Sequence, residues 1–458
     1  MHYDVLVIGS GFGGSVAALR LVEKGYRVGV IEAGRRFDDT TLPKTSWDIR
    51  NFLWAPRLRC FGIQRIHLLR NVVILAGAGV GGGSLVYANT LAEPFPAFFA
   101  DPQWSAITDW AAELAPYYDQ ASRMLGRTEN PTMTPSDEVL KSVAEEMGVG
   151  ETFHRTKVAV LFGAKAGVDV PDPYFGGAGP DRKTCIECGE CMTGCRHGAK
   201  NTLVTNYLYL AERAGAVVHP LRTVTCVQPT ADGYSVEAVR TGAALARRST
   251  ETFTADDVIF AAGALGTQRL LHEMAAQGHL PRISPRLGQL TRTNSESLCG
   301  AMTKKSTVDY SRGVAITSSF YPDEHTHIEP VRYGKGSNAM GLLATLQIDG
   351  GGPAPRWAKW LSQAARHPGS LARTINVRRW SERTIIALVM QSVDNSITVF
   401  RKRGLLGRGK LSSKQGHGAP NPTWLPVAND AVRRMARHIG GWPGSTIGEI
   451  ANIPMTAH

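Results

Sequence analysis

The chain has 458 residues, of which 51 are lysine or arginine and 39 are aspartate or glutamate, so its formal net charge at pH 7 is +12. Hydrophobic residues make up 43% of the chain and charged residues 20%, a balance that excludes a disordered or fibrous protein. The length is typical of about two or three domains, or of one large α/β unit.

The first 36 residues predict a nucleotide-binding strand–helix–strand unit. Residues 3–8 are an apolar, β-branched run of the kind that forms a buried parallel strand. The glycine-rich segment 9–14 (GSGFGG) follows, and 15–25 have the apolar spacing of a helix. A second strand, Val28–Ile31, ends at Glu32. A strand, a glycine turn, a helix, a strand and an acid in this order indicate a dinucleotide site, against the alternative of a purely structural glycine turn.

Each of these residue types has a physical role beside a dinucleotide. Gly9 permits a tight turn, Gly11 leaves room for a diphosphate to approach the backbone, and Gly14 lets the helix pack closely on the strand. The diphosphate then lies at the positive amino-terminal end of the helix. Glu32 can bind a ribose diol and would repel the 2′-phosphate of NADP, which leaves NAD or FAD. The predicted cofactor contacts in this segment are Gly9, Gly11, Phe12, Gly13, Gly14 and Glu32.

A second glycine-rich segment spans residues 76–89 (AGAGVGGGSLVYAN). Its glycines allow backbone N–H groups to converge on an anion or a flat ring, although the segment alone is also compatible with a flexible linker. After a dinucleotide-binding start it resembles the second flavin-contacting segment of glucose–methanol–choline (GMC) flavin oxidoreductases, in particular their cholesterol oxidase-like members.

Further segments resemble this family in the same order along the chain. Residues 216–227 are similar to the strand that presents an aliphatic residue, here Val224, to the adenine. Residues 258–271 (VIFAAGALGTQRLL) resemble the strand and turn that return to the dinucleotide domain. Residues 327–330 (HIEP) and 452–458 (NIPMTAH) are similar to the segments that carry the family's glutamate and histidine. The resemblance implies FAD instead of NAD as the cofactor.

The fold that the resemblance implies is of the α/β class. It has an FAD-binding Rossmann-like domain and a second, α+β substrate domain built on an antiparallel sheet. The expected boundaries are 1–90 and 200–290 for the two parts of the FAD-binding domain, 91–199 for a helical and loop insertion with four cysteines, 291–445 for the substrate domain, and 446–458 for the start of a return to the FAD domain. The further cofactor contacts that it implies are Gly79, Gly81, Gly82, Gly83, Ser84, Asn89, Val224, Ala262 and Gly263.

The resemblance also implies an activity, namely FAD-dependent oxidation of a 3β-hydroxysteroid with O₂ as acceptor and Δ5 to Δ4 isomerisation. It implies that His458 accepts the proton of the hydroxyl group. It also implies that Glu329 moves the proton whose transfer shifts the double bond. From the residues alone, Glu329 would instead be a surface or structural acid paired with Arg332. Two alternatives stay open, a dehydrogenase of another hydrophobic alcohol that uses an electron carrier and an inactive flavin-binding chain. Because family members continue beyond the position of His458, we expect a C-terminal part to be missing.

The four cysteines Cys185, Cys188, Cys191 and Cys195 have the spacing C-x2-C-x2-C-x3-C. This spacing matches the bacterial ferredoxin run, except that arginine replaces the proline that follows it there. Structural thiols, an iron–sulfur cluster and a zinc site are all compatible with the pattern. We assign no metal from the sequence.

Most of the net charge lies between residues 350 and 414, which hold thirteen lysines and arginines and two acids, interleaved with tryptophans. A solvated basic face and peripheral contact with an anionic membrane both explain this composition. No nucleic-acid-binding module accompanies the charge, so nucleic acid is not expected as a partner. The sequence shows neither a signal peptide nor a membrane-spanning stretch, and we expect a cytoplasmic or peripheral-membrane protein.

Overall fold

The computed structural model of the chain describes residues 1–244, 249–304, 307–403 and 409–457. Its strands are β1 His2–Ile8, β2 Val28–Ile31, β3 Trp54–Ala55, β4 Cys60–Phe61, β5 Gln64–Leu68, β6 Val73–Gly77, β7 Thr128–Glu129, β8 His154–Arg155, β9 Lys157–Val158, β10 Asp169–Val170, β11 Arg182–Lys183, β12 Val217–His219, β13 Arg222–Thr230, β14 Gly233–Arg240, β15 Thr250–Phe260, β16 Ser297–Met302, β17 Ser318–Asp323, β18 Thr326–Val331, β19 Ala344–Leu346, β20 Thr384–Gln391, β21 Asn395–Arg403, β22 Gly409–Gly418, β23 Trp442–Thr446 and β24 Met455–Ala457. Its α-helices are α1 Phe12–Val22, α2 Ile49–Phe52, α3 Pro96–Phe99, α4 Trp110–Met124, α5 Pro135–Glu146, α6 Tyr207–Arg213, α7 Gly263–Gln277, α8 Arg356–Arg366, α9 Pro368–Thr374, α10 Pro426–His438 and α11 Ile447–Ile450.

The first large sheet has six strands in the order β12-β2-β1-β15-β14-β13. The first four run parallel, and β14 and β13 are antiparallel additions. Leu19 of α1 and Leu208 of α6 belong to the apolar core on one face, and Met274 of α7 belongs to the core on the other. Helices on both faces of a parallel sheet confirm the predicted Rossmann-like domain.

One predicted strand is wrong in detail. Residues 216–227 do not form a single strand, because the chain turns at Pro220 and Leu221, where Leu221 adopts a left-handed φ of 56°. The first part, β12, pairs with β2, and the second part, β13, crosses to the opposite edge of the sheet beside β14. Proline has no N–H group with which to continue the pairing, so the break falls there.

The second large sheet has seven strands in the order β19-β23-β16-β20-β18-β17-β8, and its paired strands are antiparallel. Leu140 of α5 and Val432 of α10 lie in the apolar core that covers one face, together with Phe320 of β17. This antiparallel sheet confirms the predicted second domain of the α/β fold. The exact domain boundaries stay a prediction.

A small sheet, β24-β6-β5, connects the two large ones. β24 runs parallel to β6 with Met455 opposite Val73, and it also contacts β16 of the seven-stranded sheet. β6 continues directly into the second glycine-rich segment. No helix within the described ranges combines the length and apolar character needed to cross a bilayer.

Candidate active site

A cavity of about 630 Å³ opens beside the ends of β1 and β2, where the parallel strands give way to loops. A dinucleotide binds at this edge in sheets of this type. Eight of the residues predicted to contact the cofactor line the cavity, namely Gly9, Gly11, Glu32, Gly82, Gly83, Val224, Ala262 and Gly263. We call this cavity the dinucleotide cleft.

The glycines of the first turn differ in what a side chain would meet. A Cβ atom on Gly9 would lie 2.4 Å from the carbonyl oxygen of Ala261, and one on Gly14 would lie 2.0 Å from the carbonyl oxygen of Gly9. A Cβ atom on Gly11 would approach no atom closer than 4.0 Å. Gly9 and Gly14 therefore permit close packing of β1, α1 and the loop after β15, whereas Gly11 keeps the cleft itself open.

The carboxylate of Glu32 is fixed at the rim of the cleft. Its Oε2 accepts hydrogen bonds from the backbone N–H of Ser10 at 3.1 Å and from the Ser10 hydroxyl at 2.8 Å. Its Oε1 accepts one from the N–H of Gly34 at 2.7 Å. Oε1 keeps a further lone pair for a ribose hydroxyl, and the group is oriented before any ligand binds.

The second glycine-rich segment closes the cleft from the other side. Gly79 and Gly81 adopt φ angles of +126° and +101°, which disfavour any residue with a side chain. The Ser84 hydroxyl donates to the carbonyl of Gly81 at 2.7 Å and accepts from the N–H of Leu203 at 3.1 Å. Gly79, Gly81 and Ser84 therefore shape this loop, and Gly82 and Gly83 face the cleft.

Three other predicted contacts, Phe12, Gly13 and Asn89, are not in the lining of the cleft. The Phe12 ring packs edge-on against Tyr87, with centroids 5.8 Å apart, and Gly13 is exposed. Asn89 is fully buried, and neither polar atom of its side chain has a hydrogen-bond partner in the part of the chain described. A buried amide without partners usually marks a place where a ligand or water binds. Its role at the cofactor stays a prediction.

Four arginines that the sequence analysis missed also line the cleft, among them Arg65 on β5 and Arg269 on α7. Burial and the neighbouring charge of Arg269 lower the pKa of Arg65 to about 10. Neither guanidinium forms a salt bridge with a carboxylate within the described ranges. Two like charges that line one cleft favour an anion between them, and the diphosphate of FAD would fit that requirement. The sequence held one signal for this pair. Arg269 lies about two turns into α7, the helix that begins at the cleft.

A second cavity, of about 510 Å³, lies over the free face of the seven-stranded sheet. Strand alternation explains its lining, because His327, Glu329 and Val331 of β18 all point into it. Apolar side chains form most of the remaining wall, including Met302, Trp380, Ile386, Leu388 and Met390. This volume and composition are typical of a site for one hydrophobic small molecule. We call this cavity the apolar cavity.

Glu329 lies in the lining of the apolar cavity and is only 6% exposed. Burial raises the pKa of Glu329 to about 8, and the nearby carboxylate of Glu296 adds to the effect. The alternative of a surface acid paired with Arg332 is wrong, because Arg332 donates instead to the carbonyl of Arg312 and the hydroxyl of Thr317. Glu329 can therefore act as a base of unusually high proton affinity in a dry site.

His327 lies beside Glu329 in the same wall, and the sequence analysis gave it no role. Burial and the neighbouring His154 lower the pKa of His327 to about 4. It is therefore neutral near pH 7 and can exchange hydrogen bonds without adding charge.

The two cavities share one wall. On β6, Leu75 lines the apolar cavity and Gly77 lines the dinucleotide cleft. The following loop gives Gly83 to the cleft and Tyr87 to the apolar cavity. A flat ring held through a diphosphate in the cleft would therefore lie next to the apolar cavity at residues 75–87.

The second predicted catalytic residue, His458, lies outside the described residues. β24, which ends immediately before it, brings Met455 into the lining of the apolar cavity. Ala457, the last residue of that strand, pairs through its backbone with Leu75, which lines the same cavity. The assignment of His458 as the acceptor of the hydroxyl proton stays a prediction.

Comparisons with known proteins agree with this geometry. A family model described as GMC oxidoreductase matches residues 3–289. A cholesterol oxidase of Mycobacterium tuberculosis (strain CDC 1551 / Oshkosh) is 62% identical over 467 aligned residues, which cover 100% of this chain and 81% of that protein. A cholesterol oxidase of Acinetobacter baumannii is 44% identical, over 100% of this chain and 84% of that protein. The crystal structure of a pyridoxine 4-oxidase from Mesorbium loti superposes with a TM-score of 0.53 at 14% identity, over 95% of this chain and 79% of that one, and shows the shared fold.

Proposed function

Because the chain belongs to the GMC oxidoreductase family, whose members depend on FAD, we propose that it oxidises the 3β-hydroxyl group of a cholesterol-like sterol and then isomerises the double bond. The observation that carries this proposal is the apolar cavity, which the second glycine-rich segment closes on one side. Among the described residues of its lining, Glu329 is the one buried carboxylate. The names of the two relatives support the same substrate class.

The described residues fit FAD. Gly11 leaves space for the diphosphate, Glu32 is oriented toward the ribose, and Arg65 and Arg269 offer two positive charges. When bound, FAD supplies the acceptor for the hydride that leaves the carbinol carbon. The protein must then bind the alcohol, exclude water and handle the protons.

The proton steps fall to two side chains. We assign the hydroxyl proton to His458, since imidazole exchanges protons near neutral pH. Glu329, as the carboxylate, removes the proton from the carbon between the new ketone and the double bond. It then returns that proton to the far carbon of the double bond, which completes the conjugated ketone. The apolar wall around Glu329 favours this because it strengthens the base and keeps water from quenching the intermediate.

Incubation of the FAD-loaded chain with cholesterol tests the function and its electron acceptor. Under air we expect one hydrogen peroxide for each ketone formed. Ketone formation without peroxide, coupled to dye reduction under argon, would favour a dehydrogenase that uses a carrier. If flavin is bound but no ketone forms in either condition, the sterol assignment is wrong.

Exposed apolar side chains next to the apolar cavity favour contact with a membrane. Leu342, Trp357, Leu361 and Ile375 are each more than half exposed. Trp357 and Leu361 are one helical turn apart on α8, and Leu342 directly precedes Leu343 of the cavity lining. Helix α8 also carries three cationic residues and no acid. We infer that this face rests on an anionic bilayer and takes its sterol from it.

Replacement of Leu361 by alanine is expected to weaken binding to vesicles that contain anionic lipid by about tenfold, since several buried methylene groups are lost. Trp357→Ala should act in the same direction. Sedimentation with vesicles measures the effect. Ile107→Ala, which removes an exposed apolar side chain from another part of the chain, is the control. Equal losses in Ile107→Ala and Leu361→Ala would exclude a specific membrane face.

A further inference from the structure

The four cysteines of residues 185–195 meet at one place in the structure. Cys185, Cys188, Cys191 and Cys195 line the same small internal cavity, and all four are free thiols. The chain folds around them in a 3-10 turn, Glu190–Thr193, flanked by Gly189 and Gly194 in left-handed conformation. The pattern in the sequence therefore corresponds to a convergent group of sulfur atoms.

Two of the sulfurs also accept a backbone hydrogen bond. Cys185 accepts from the N–H of Glu187 at 3.3 Å, and Cys195 accepts from the N–H of Lys200 at 3.5 Å. A neutral thiol is a weak acceptor, whereas metal-bound thiolates depend on such donors. These two donors are compatible with metal-bound sulfur atoms.

Lys200 supplies the second, independent observation. It is only 2% exposed, and its ammonium donates to the carbonyl of Cys191 at 2.9 Å and to the carbonyl of Leu85 at 3.2 Å. Across the described ranges it has no carboxylate partner, and the groups that interact with its charge are the sulfurs of Cys191 and Cys195. A buried ammonium is rarely left without a counter-charge. An anionic cluster bound by the cysteines would supply that counter-charge.

The spacing of the sulfurs distinguishes between metals. A tetrahedral Zn²⁺ with bonds of about 2.3 Å holds its sulfurs about 3.8 Å apart. Among the described residues, no three cysteines have sulfurs mutually within 4.8 Å, and the group at this place that meets that limit is Cys188 with Glu190 and His197. An iron–sulfur cluster holds its cysteines farther apart, because each binds a different iron atom.

We propose that Cys185, Cys188, Cys191 and Cys195 hold one iron–sulfur cluster, whose negative charge is balanced by Lys200. In ferredoxins with two clusters the fourth cysteine of this spacing serves the other cluster. Here it lines the same cavity as the first three, so all four serve one site.

The site adjoins the proposed active site. The Lys200 ammonium lies 4.5 Å from the centre of the Tyr87 ring, and Tyr87 lines the apolar cavity. Met192, next to Cys191, lines that cavity too. A cluster at the cysteines is therefore separated from the second glycine-rich segment, residues 76–89, by one layer of side chains.

The test is chemical analysis of the full-length chain, purified under argon with its FAD. We expect about four iron atoms and as much acid-labile sulfide per chain, absorbance beyond the flavin bands, and an electron paramagnetic resonance signal after reduction with dithionite. Cys188→Ser should lose at least 90% of the iron and the signal while it keeps FAD. Cys60→Ser, which changes a cysteine outside the group, should keep both.

Lys200→Met tests the lysine through the reduction potential of the cluster, which a purely structural lysine would not change. The reduced cluster carries one more negative charge than the oxidised one, so loss of the neighbouring ammonium should lower its reduction potential. Stoichiometric zinc, iron without sulfide, or an FAD-loaded chain free of metal would each overturn the proposal. So would unchanged iron in Cys188→Ser. If Cys188→Ser does not fold, the iron and sulfide content of the unaltered protein decides.

Discussion

Glu329→Gln is expected to stop isomerisation while oxidation of the sterol continues, so that the unconjugated ketone accumulates. The amide has nearly the shape of the carboxylic acid but cannot take up a proton, and no other carboxylate lines the apolar cavity in the part of the chain described. Loss of a positioned base costs about 100-fold or more in rate. Ultraviolet absorbance of the conjugated product, compared with total ketone, separates the two steps.

The matched control is Glu324→Gln, which neutralises an exposed acid in the turn that leads into the same strand. It should leave both steps unchanged.

The pH dependence offers a second check. Because the base must be ionised and its pKa is about 8, isomerisation by the unaltered protein should rise as pH increases through about 8. In Glu296→Gln the rise should move to lower pH, since the charge that adds to the effect of burial on the pKa of Glu329 is gone. Conjugated product formed at an equal rate by Glu329→Gln would remove Glu329 from the mechanism.

The position of Glu329 shows what the sequence alone could not supply. Both faces of β18 are buried, with Ile328 in the core under the sheet and Glu329 in the apolar cavity. Such a strand has no contrast between an apolar and a polar face, so periodicity could not place the acid. The resemblance to the GMC family placed it, and the residue pattern alone favoured a surface acid.

The opening unit was predictable because its determinants are local. Strand β1, the glycine turn, α1 and β2 follow one another within 31 residues, and each step is encoded by nearby residue types. Arg65 and Arg269 were missed for the opposite reason. They come from β5 and α7, 204 positions apart in sequence, and only the packing of the two elements brings their charges together.

The cysteine group combines the two cases. Spacing alone predicts that four nearby cysteines can converge, since they lie on one short loop. It does not predict that Lys200 is buried beside them. That burial depends on packing with the rest of the chain, and it is what favours a metal site over a set of structural thiols.

Gly11→Val is expected to abolish FAD binding without unfolding the chain. Gly11 has an extended backbone, with φ −72° and ψ −167°, which a β-branched residue adopts readily. The valine side chain would meet no protein atom at its Cβ and would extend into the dinucleotide cleft. There it would occupy the space of the diphosphate, and we expect the affinity for FAD to fall about 100-fold or more. Flavin absorbance after gel filtration measures the loss.

The choice of glycine makes this test specific for the cofactor. Valine at Gly9 or Gly14 would collide with backbone atoms at 2.4 and 2.0 Å, so lost flavin there would follow from a damaged fold. Gly369→Val is the matched control, because a Cβ atom at Gly369 on α9 also approaches no atom closer than 4.0 Å. Both variants should melt within a few degrees of the unaltered protein when all are stripped of flavin. Full flavin content in Gly11→Val would show that the diphosphate lies elsewhere, and the proposed sterol oxidation would lose its structural basis.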